Sequence, residues 1–378
     1  MKISGSSALS DFLEDRIVYR NLRPADERLI SLQGLRKKLG LPPDSIPRKN
    51  EPDYARVVVE ILMHARQLTT PGAEIRRVVF LGDTRLLDST AFANICTAGG
   101  WPGIAFIGSE NVLPPTAEIE TMREGQTLYL SNRWADLDAL FRECVANGNF
   151  PIDEQTVLLI DMDKTALGAR GRNASVIDNA RVLAVEETVA SFLGGLFNAR
   201  EFRAAYDLLV QTEFHTFTGD NQDYVAYVCL ILGSGLEPLD RLVKRIRAGE
   251  ILTFHQFIDE VDVRQSELPP ALQSIHKKIW ANVRAGDPTP FKAFRYNEFC
   301  TTTAHMGCLA DSASLEEFLS GEILLTREVR DLALAWQAQG ALTFGLSDKP
   351  DEASIPTAEL RAQGFVTLHQ KKTHVLGS

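Results

Sequence analysis

The sequence predicts an α/β fold built on a parallel sheet and interrupted by a helical insertion. Three observations carry that expectation. Continuous apolar runs such as Thr156-Val-Leu-Leu-Ile-Asp161 and Arg77-Val-Val-Phe-Leu-Gly82 read as strands buried on both faces. Amphipathic helical stretches alternate with them, as crossover connections between parallel strands require. Between about residues 174 and 318 the strand signals nearly stop and helix follows helix.

The bulk properties bound the rest. A chain of 378 residues has room for two domains, or for one domain with a large insertion. Its 44% apolar and 24% charged residues suit a water-exposed globular surface. No apolar run approaches the roughly 20 residues that span a bilayer, and Met1-Lys-Ile-Ser-Gly-Ser-Ser7 leads into no signal-type apolar core. Five cysteines, odd in number and without a CxxC spacing, suggest reduced thiols and a cytoplasmic protein. A net charge of −10 argues against nucleic-acid or membrane-surface partners, while leaving room for a local basic pocket.

Taken in order, residues 1–47 are polar and mixed, with helical periodicity at Leu29, Leu32, Leu35 and Leu39. A helix is expected from about Glu51, capped by Asn50, with Pro52 in its first turn and Asp53 where a capping-box acid would stand. Tyr54, Val57, Val58, Ile61, Leu62 and Ala65 form its apolar face. Strands are expected at Arg77–Gly82, Gly103–Gly108 and Thr127–Ser131, then a helix through Leu137, Leu140 and Phe141, then the Thr156–Asp161 strand. The helical block includes Val182–Phe197, Phe202–Val210, Tyr224–Leu232 and Leu239–Ile246. Beyond it come a helix at Leu324–Gln337, a strand at Ala341–Leu346 and a short strand at Phe365–Leu368.

Chemistry concentrates where these strands end. Charged residues cannot continue an apolar run into a core without partners, so the Thr156 strand should stop at Asp161, with Asp163 just beyond and Thr165 after it. Ligand sites of open α/β sheets lie at that carboxyl edge. Two acids this close repel one another, and a bound cation would relieve the repulsion. Gly82-Asp83-Thr-Arg-Leu-Leu-Asp88 ends a second strand, Gly345-Leu-Ser347-Asp-Lys-Pro350 ends a third, and Lys49 opens the helix that feeds the Asp83 strand.

This set resembles the haloacid dehalogenase-like superfamily, whose motifs are Asp-x-Asp-x-Thr after an apolar strand, a strand ending in Ser or Thr, a Lys at a helix start, and Gly-Asp with a second acid four or five positions on. Here the order is rotated: Lys49, then Asp83 and Asp88, then Asp161 and Asp163, then Ser347. The resemblance therefore implies a circularly permuted domain that supplies the family's core strands as four, five, one, two, three. It implies a three-layer Rossmann-like core at residues 1–173 and 319–378, with 1–44 as an N-terminal helical extension. An all-helical cap would occupy 174–318, hinged near Gly168–Asn173 and Ser312–Gly321.

The same resemblance implies a Mg²⁺-dependent phosphatase acting on a small phosphorylated metabolite. Asp161 would be the nucleophile and Asp163 the acid and base. Mg²⁺ would be held by Asp161, the backbone carbonyl of Asp163, and Asp83, while Asp88 would bind it or orient its water. Ser347 and Lys49 would stabilise the phosphoryl group, with Arg48, Lys371 or Lys372 able to replace Lys49. Thr165, Arg170, Arg172, Lys292 and Arg295 are candidate substrate contacts, against the plainer reading of exposed charges. A phosphotransferase or mutase using the same intermediate, or an inactive binding protein on the same fold, are the alternatives. The stretch Gly219-Asp220-Asn-Gln-Asp223, which mimics the Gly-Asp motif, reads as a helix cap, His369 and His374 as separate histidines, and Arg241 to Arg247 as a solvated face.

Overall fold

Five apolar runs form the centre of a seven-stranded sheet. The computed structural model describes residues 1–43, 45–123, 125–146 and 150–378. Its strands are β1 (Lys2–Ser7), β2 (Ile17–Val18), β3 (Arg77–Gly82), β4 (Gly103–Gly108), β5 (Ala117–Arg123), β6 (Gln126–Ser131), β7 (Thr156–Asp161), β8 (Leu325–Thr326), β9 (Leu342–Leu346) and β10 (Thr373–Gly377). The large sheet runs β2-β9-β7-β3-β4-β6-β5, and every neighbouring pair is parallel except β5 with β6. A small sheet runs β1-β10-β8.

The chain divides into two compact units, residues 1–179 with 302–378, and residues 180–301. In the first, alternation along the central strands sends Val78, Phe80, Val157, Leu159 and Phe344 to one face. There they pack with Val57, Val58, Ile61 and Leu62 of the helix Pro52–Thr69 and with Phe92 of the helix Arg85–Gly99. Val79, Leu81, Leu158 and Ile160 point the other way and are equally buried, as a sheet covered on both faces demands. The second unit is helical. Its core gathers around the helix Gln222–Gly233, in which every residue from Val225 to Ile231 is buried.

Several sequence expectations are corrected. Phe365–Leu368 is not a strand: residues 365–367 lie outside regular structure, Val366 is exposed, and Leu368 begins a 3₁₀ turn whose N–H bonds Ser354 O at 2.9 Å. The place beside β9 is taken instead by β2, whose Ile17 and Val18 register with Gly345 and Leu346. Residues 1–43 do not form a helical extension: β1 and β2 complete both sheets, and among these described residues only Ser10–Leu13 and Leu32–Leu39 are helical. The helix expected at Leu324–Gln337 opens with β8 and starts at Arg327. Glu51, not Asn50, occupies the cap of the Pro52 helix, with no side-chain cap bond; Pro52 stands in the first turn. The segments expected as hinges are tied together, with Gly168 N–H on Leu324 O at 2.7 Å and Asn173 Nδ2 on Leu319 O at 2.8 Å. The expected position Leu140 lies outside the residues whose side chains are described.

His369 and His374 occupy separate networks. His369 bridges Tyr19 and Asp15, while His374 on β10 bridges Glu322 at 2.8 Å and Asp311 at 2.9 Å. Fully buried Glu322 also accepts from Cys308 N, Leu309 N, His374 N and the Thr373 hydroxyl, which ties the small sheet to the loop before it. Burial alone would lower the His374 pKa, but its bonds to Asp311 and Glu322 outweigh that and hold it above its ordinary 6.5. A pKa raised by folding contributes stability that is complete below 6.5 and fades as pH rises through the folded value. The urea midpoint is therefore expected to fall between pH 6 and pH 9. His374→Gln should flatten that fall, at a cost of about 1–3 kcal/mol near pH 6. Parallel pH profiles for the two proteins would refute the assignment.

Candidate active site

Because β9, β7 and β3 are parallel neighbours, their carboxyl ends reach one edge together. Leu81 registers with Ile160, and Asp161 with Leu346. Asp83, Asp161 and Ser347 consequently stand in a row across three strands. One carboxylate oxygen from each of Asp83, Asp88 and Asp161 lies within 4.8 Å of the others, and all three residues are buried.

Lys49 enters this cluster from the turn before the Pro52 helix. Its ammonium is 2.5 Å from Asp161 Oδ1 and 2.7 Å from Asp88 Oδ1, with its side chain only 1% exposed. Phe80 of β3 lies beneath it, the ring centroid 5.5 Å from Nζ. Burial opposes the Lys49 charge, but Asp161 and Asp88 outweigh it and hold the ammonium well above the ordinary lysine range. The alternatives Arg48, Lys371 and Lys372 make none of these contacts.

Asp88 sits in the first turn of the Arg85–Gly99 helix and reaches back to β3. Its Oδ2 accepts from Asp83 N at 3.0 Å and Thr84 N at 2.9 Å, satisfying two donors that the helix start leaves open. Gly82 is required by the same contact, since a Cβ there would lie 2.6 Å from Asp88 Oδ2. The Gly82, Asp83, Asp88 spacing is thus one mechanical unit. Asp83 takes Arg170 Nε on one oxygen and the Thr84 hydroxyl, at 3.2 Å, on the other.

After Asp161 the chain folds back tightly. Ala166 N–H bonds Asp161 O at 3.2 Å, Leu167 N–H bonds Met162 O at 2.9 Å, and Lys164 takes a left-handed φ of 67° at the bend. This turn aims Thr165 Oγ1 at Asp161 Oδ2, 3.0 Å away, and leaves Asp163 half-buried. Burial, opposed by Lys49 and reinforced by Asp88 and Asp83, pushes Asp161 well above the usual carboxylate range. Burial and then Asp88 raise Asp83 against the pull of Arg170. Three clustered acids thus face two cations, Lys49 and Arg170. The excess negative charge and the all-oxygen donor set fit a hard divalent cation. Arg170 is 40% exposed while its partner Asp83 is only 6% exposed, so a cation replacing Arg170 there would have to neutralise a buried carboxylate.

Ser347 is buried at the end of β9, and its Oγ accepts from Lys349 N at 3.1 Å. Tyr54 was read from the sequence only as part of an apolar face. In the structure its buried hydroxyl has no partner among the described residues and feels the charges of Asp348, Lys49 and Asp161. A phenol one turn after the site lysine was the available signal.

Arg172 has a different place from the one expected. Its guanidinium is fully buried and clamped by Glu110 and, bidentately, by Glu328 at 2.9 and 3.0 Å, so it has no exposed charge to offer a substrate. Arg295 and Lys292 lie in the helical unit. Arg295 is buried against Asp223 and Glu298, and Lys292 pairs with Asp287 at 2.8 Å. Asn221 caps the Gln222 helix through a 2.9 Å bond to Asp223 N.

No family profile, characterised protein or solved structure matches this chain. The fold and site define it as an α/β protein with a lysine-bridged carboxylate cluster at the carboxyl edge of a mostly parallel sheet. Among the described residues no helix is long and apolar enough to cross a membrane.

Two substitutions separate framework from site. Arg172→Met leaves two partly buried carboxylates without their cation and is expected to cost about 3–5 kcal/mol in urea melts. Gly82→Ala should displace Asp88 and weaken divalent-cation binding measured by calorimetry at least about tenfold, with a smaller effect on the urea midpoint. Wild-type cation affinity in Gly82→Ala would show that Asp88 does not organise the cluster.

Proposed function

We propose that this chain is a Mg²⁺-dependent phosphomonoester hydrolase that works through an aspartyl-phosphate on Asp161, in the manner of the haloacid dehalogenase-like enzymes it resembles. The observation that carries the reading is the meeting of Lys49, Asp88, Asp83 and Asp161 at one sheet edge, although 112 positions separate Lys49 from Asp161. A structural ion pair needs one acid for one base. Three buried acids facing one buried lysine and one part-exposed arginine leave an excess of negative charge that costs stability and that a metal-assisted phosphoryl-transfer site would use.

In this reading Asp161, Asp83 and the carbonyl of Asp163 would hold Mg²⁺, which would supply the positive charge that lets two anions approach. Asp161 attacks phosphorus in line with the departing oxygen. Asp163, two residues on, gives its proton to that oxygen and later takes one from the water that cleaves the intermediate. Lys49 offsets the growing charge on the transferred group, and Asp88 holds Lys49 in position. Thr165 orients the nucleophile, and Ser347 donates to a phosphoryl oxygen. The substrate is a small phosphorylated metabolite.

Phosphate release from aryl phosphates and from a phosphometabolite panel, with and without Mg²⁺, tests this. Turnover is expected only with the metal. Asp161→Asn should lower it by about three orders of magnitude or more, and Lys49→Met by about 10²–10³-fold. Release that is unchanged in Asp161→Asn would sink the proposal. Mg²⁺ binding without turnover would favour an inactive binding protein, and label appearing on an added alcohol would favour phosphoryl transfer.

A further inference from the structure

The amino edge of the same sheet carries a second charged recess. It has a volume of about 430 Å³, and its charged lining is Arg16, Arg28 and Arg66 against Glu14 and Asp26. It lies at the opposite end of the strands from Asp161, because Arg66 bonds to Thr156 O, at the first residue of β7, and Leu342, which opens β9, forms part of the wall.

The three arginines differ in how they are satisfied. Arg16 forms a bidentate pair with Glu14 at 2.9 and 3.0 Å, and its Nε donates to Thr343 O. Exposed Arg28 grips Asp26 the same way. Arg66 is the most deeply buried of them, 2% exposed, and among the described residues no acid lies within ion-pair distance of it. Its Nη atoms donate to Thr70 Oγ1, Gly340 O and Thr156 O at 3.1–3.3 Å, all neutral acceptors, and its Nε has no partner among the described residues. Burial works against its charge first and the nearby Arg16 next, and the more distant Glu154 and Asp153 offset them only in part. Holding a full charge in that position without a counter-ion costs several kcal/mol, and buried charges in folded proteins are normally paired. Stapling three carbonyl and hydroxyl oxygens does not require a guanidinium; balancing an anion does. Arginine's planar fork suits a tetrahedral or planar oxyanion.

We propose that this recess binds a small oxyanion, a phosphate or a phosphorylated small molecule, between Arg66, Arg16 and Arg28. The site is separate from the carboxylate cluster. It needs no metal, since its excess charge is positive.

Calorimetric titration of the full chain with inorganic phosphate in Mg²⁺-free buffer tests this, with sulfate as a second probe. A saturable phosphate site is expected, weakened at least roughly tenfold in Arg66→Met and in Arg28→Glu. Arg28 is exposed, so its charge reversal reports on the recess even if Arg66→Met fails to fold. The proposal is overturned if wild type gives no saturable binding. It is equally overturned if Arg28→Glu, or a folded Arg66→Met, titrates like wild type. Sulfate competing with phosphate in wild type would assign the site to a bare oxyanion. A phosphorylated metabolite binding more tightly than either would assign it to the organic phosphate.

Discussion

The ammonium of Lys49, buried between Asp161 and Asp88, is the contact on which the α/β unit is organised. It joins the turn before one helix, the first turn of the next helix and the end of the central strand. Those three pieces are brought together by β3 and β7 being parallel neighbours with Leu81 opposite Ile160, the last residues before Gly82 and Asp161. The ion cluster and the strand order therefore imply each other. As a source of stability it is poor, because desolvating four charged groups offsets most of their attraction. Its persistence at the deepest point of the sheet edge is better understood as a cost met by the apolar core around it.

Details of the backbone follow from the same cluster. A glycine precedes Asp83 because Asp88 fills the space a side chain would need. Lys164 accepts a left-handed conformation, rare for a lysine, because the turn it makes brings the Thr165 hydroxyl onto Asp161. Gly82 and Lys164 thus each answer to one carboxylate of the cluster, while β4 and β6 pair in unbroken parallel register.

How much of this was legible in the sequence depended on the length scale of each signal. The strands β3, β4, β6, β7 and β9 were readable to within a residue, because β3, β4 and β7 carry continuous apolar runs and β6 and β9 are short β-prone stretches rich in apolar residues. The strands β2 and β8 have two residues each, too few for periodicity, and β5 is an exposed edge strand with the polar sequence Ala-Glu-Ile-Glu-Thr-Met-Arg. Phe365–Leu368 carries strand-like composition but finds no neighbour, since β2 already holds the position beside β9. The site residues Lys49, Asp83, Asp88 and Asp161 were identifiable because chemistry forced unusual residues onto strand ends. Arg172 was misread for the converse reason. Its closeness to Asp161 in sequence was visible, while its partner Glu328, 156 positions away, was not. Tyr54 was hidden because a phenol on an apolar face looks like any other aromatic until its hydroxyl is seen to lack a partner.

The insertion gains its meaning from how its ends are fastened. The chain leaves the α/β unit after Asn179 and returns at Thr302, and the flanking segments are bonded to one another. Thr326 N–H bonds Ala166 O at 2.8 Å, Thr326 Oγ1 bonds Thr165 O at 2.5 Å, and Asn173 accepts from Leu324 N at 3.0 Å. Closing a long excursion costs little more entropy than closing a moderate one, so a helical unit of this size can be accommodated once its ends meet. The place where they meet is the turn that carries Thr165, and Thr165 bonds Asp161. Displacement of the returning strand would therefore be transmitted through two hydrogen bonds to the nucleophile candidate. These bonds lie wholly within the α/β unit and link the turn of Thr165, and through it Asp161, to the strand that holds Thr326.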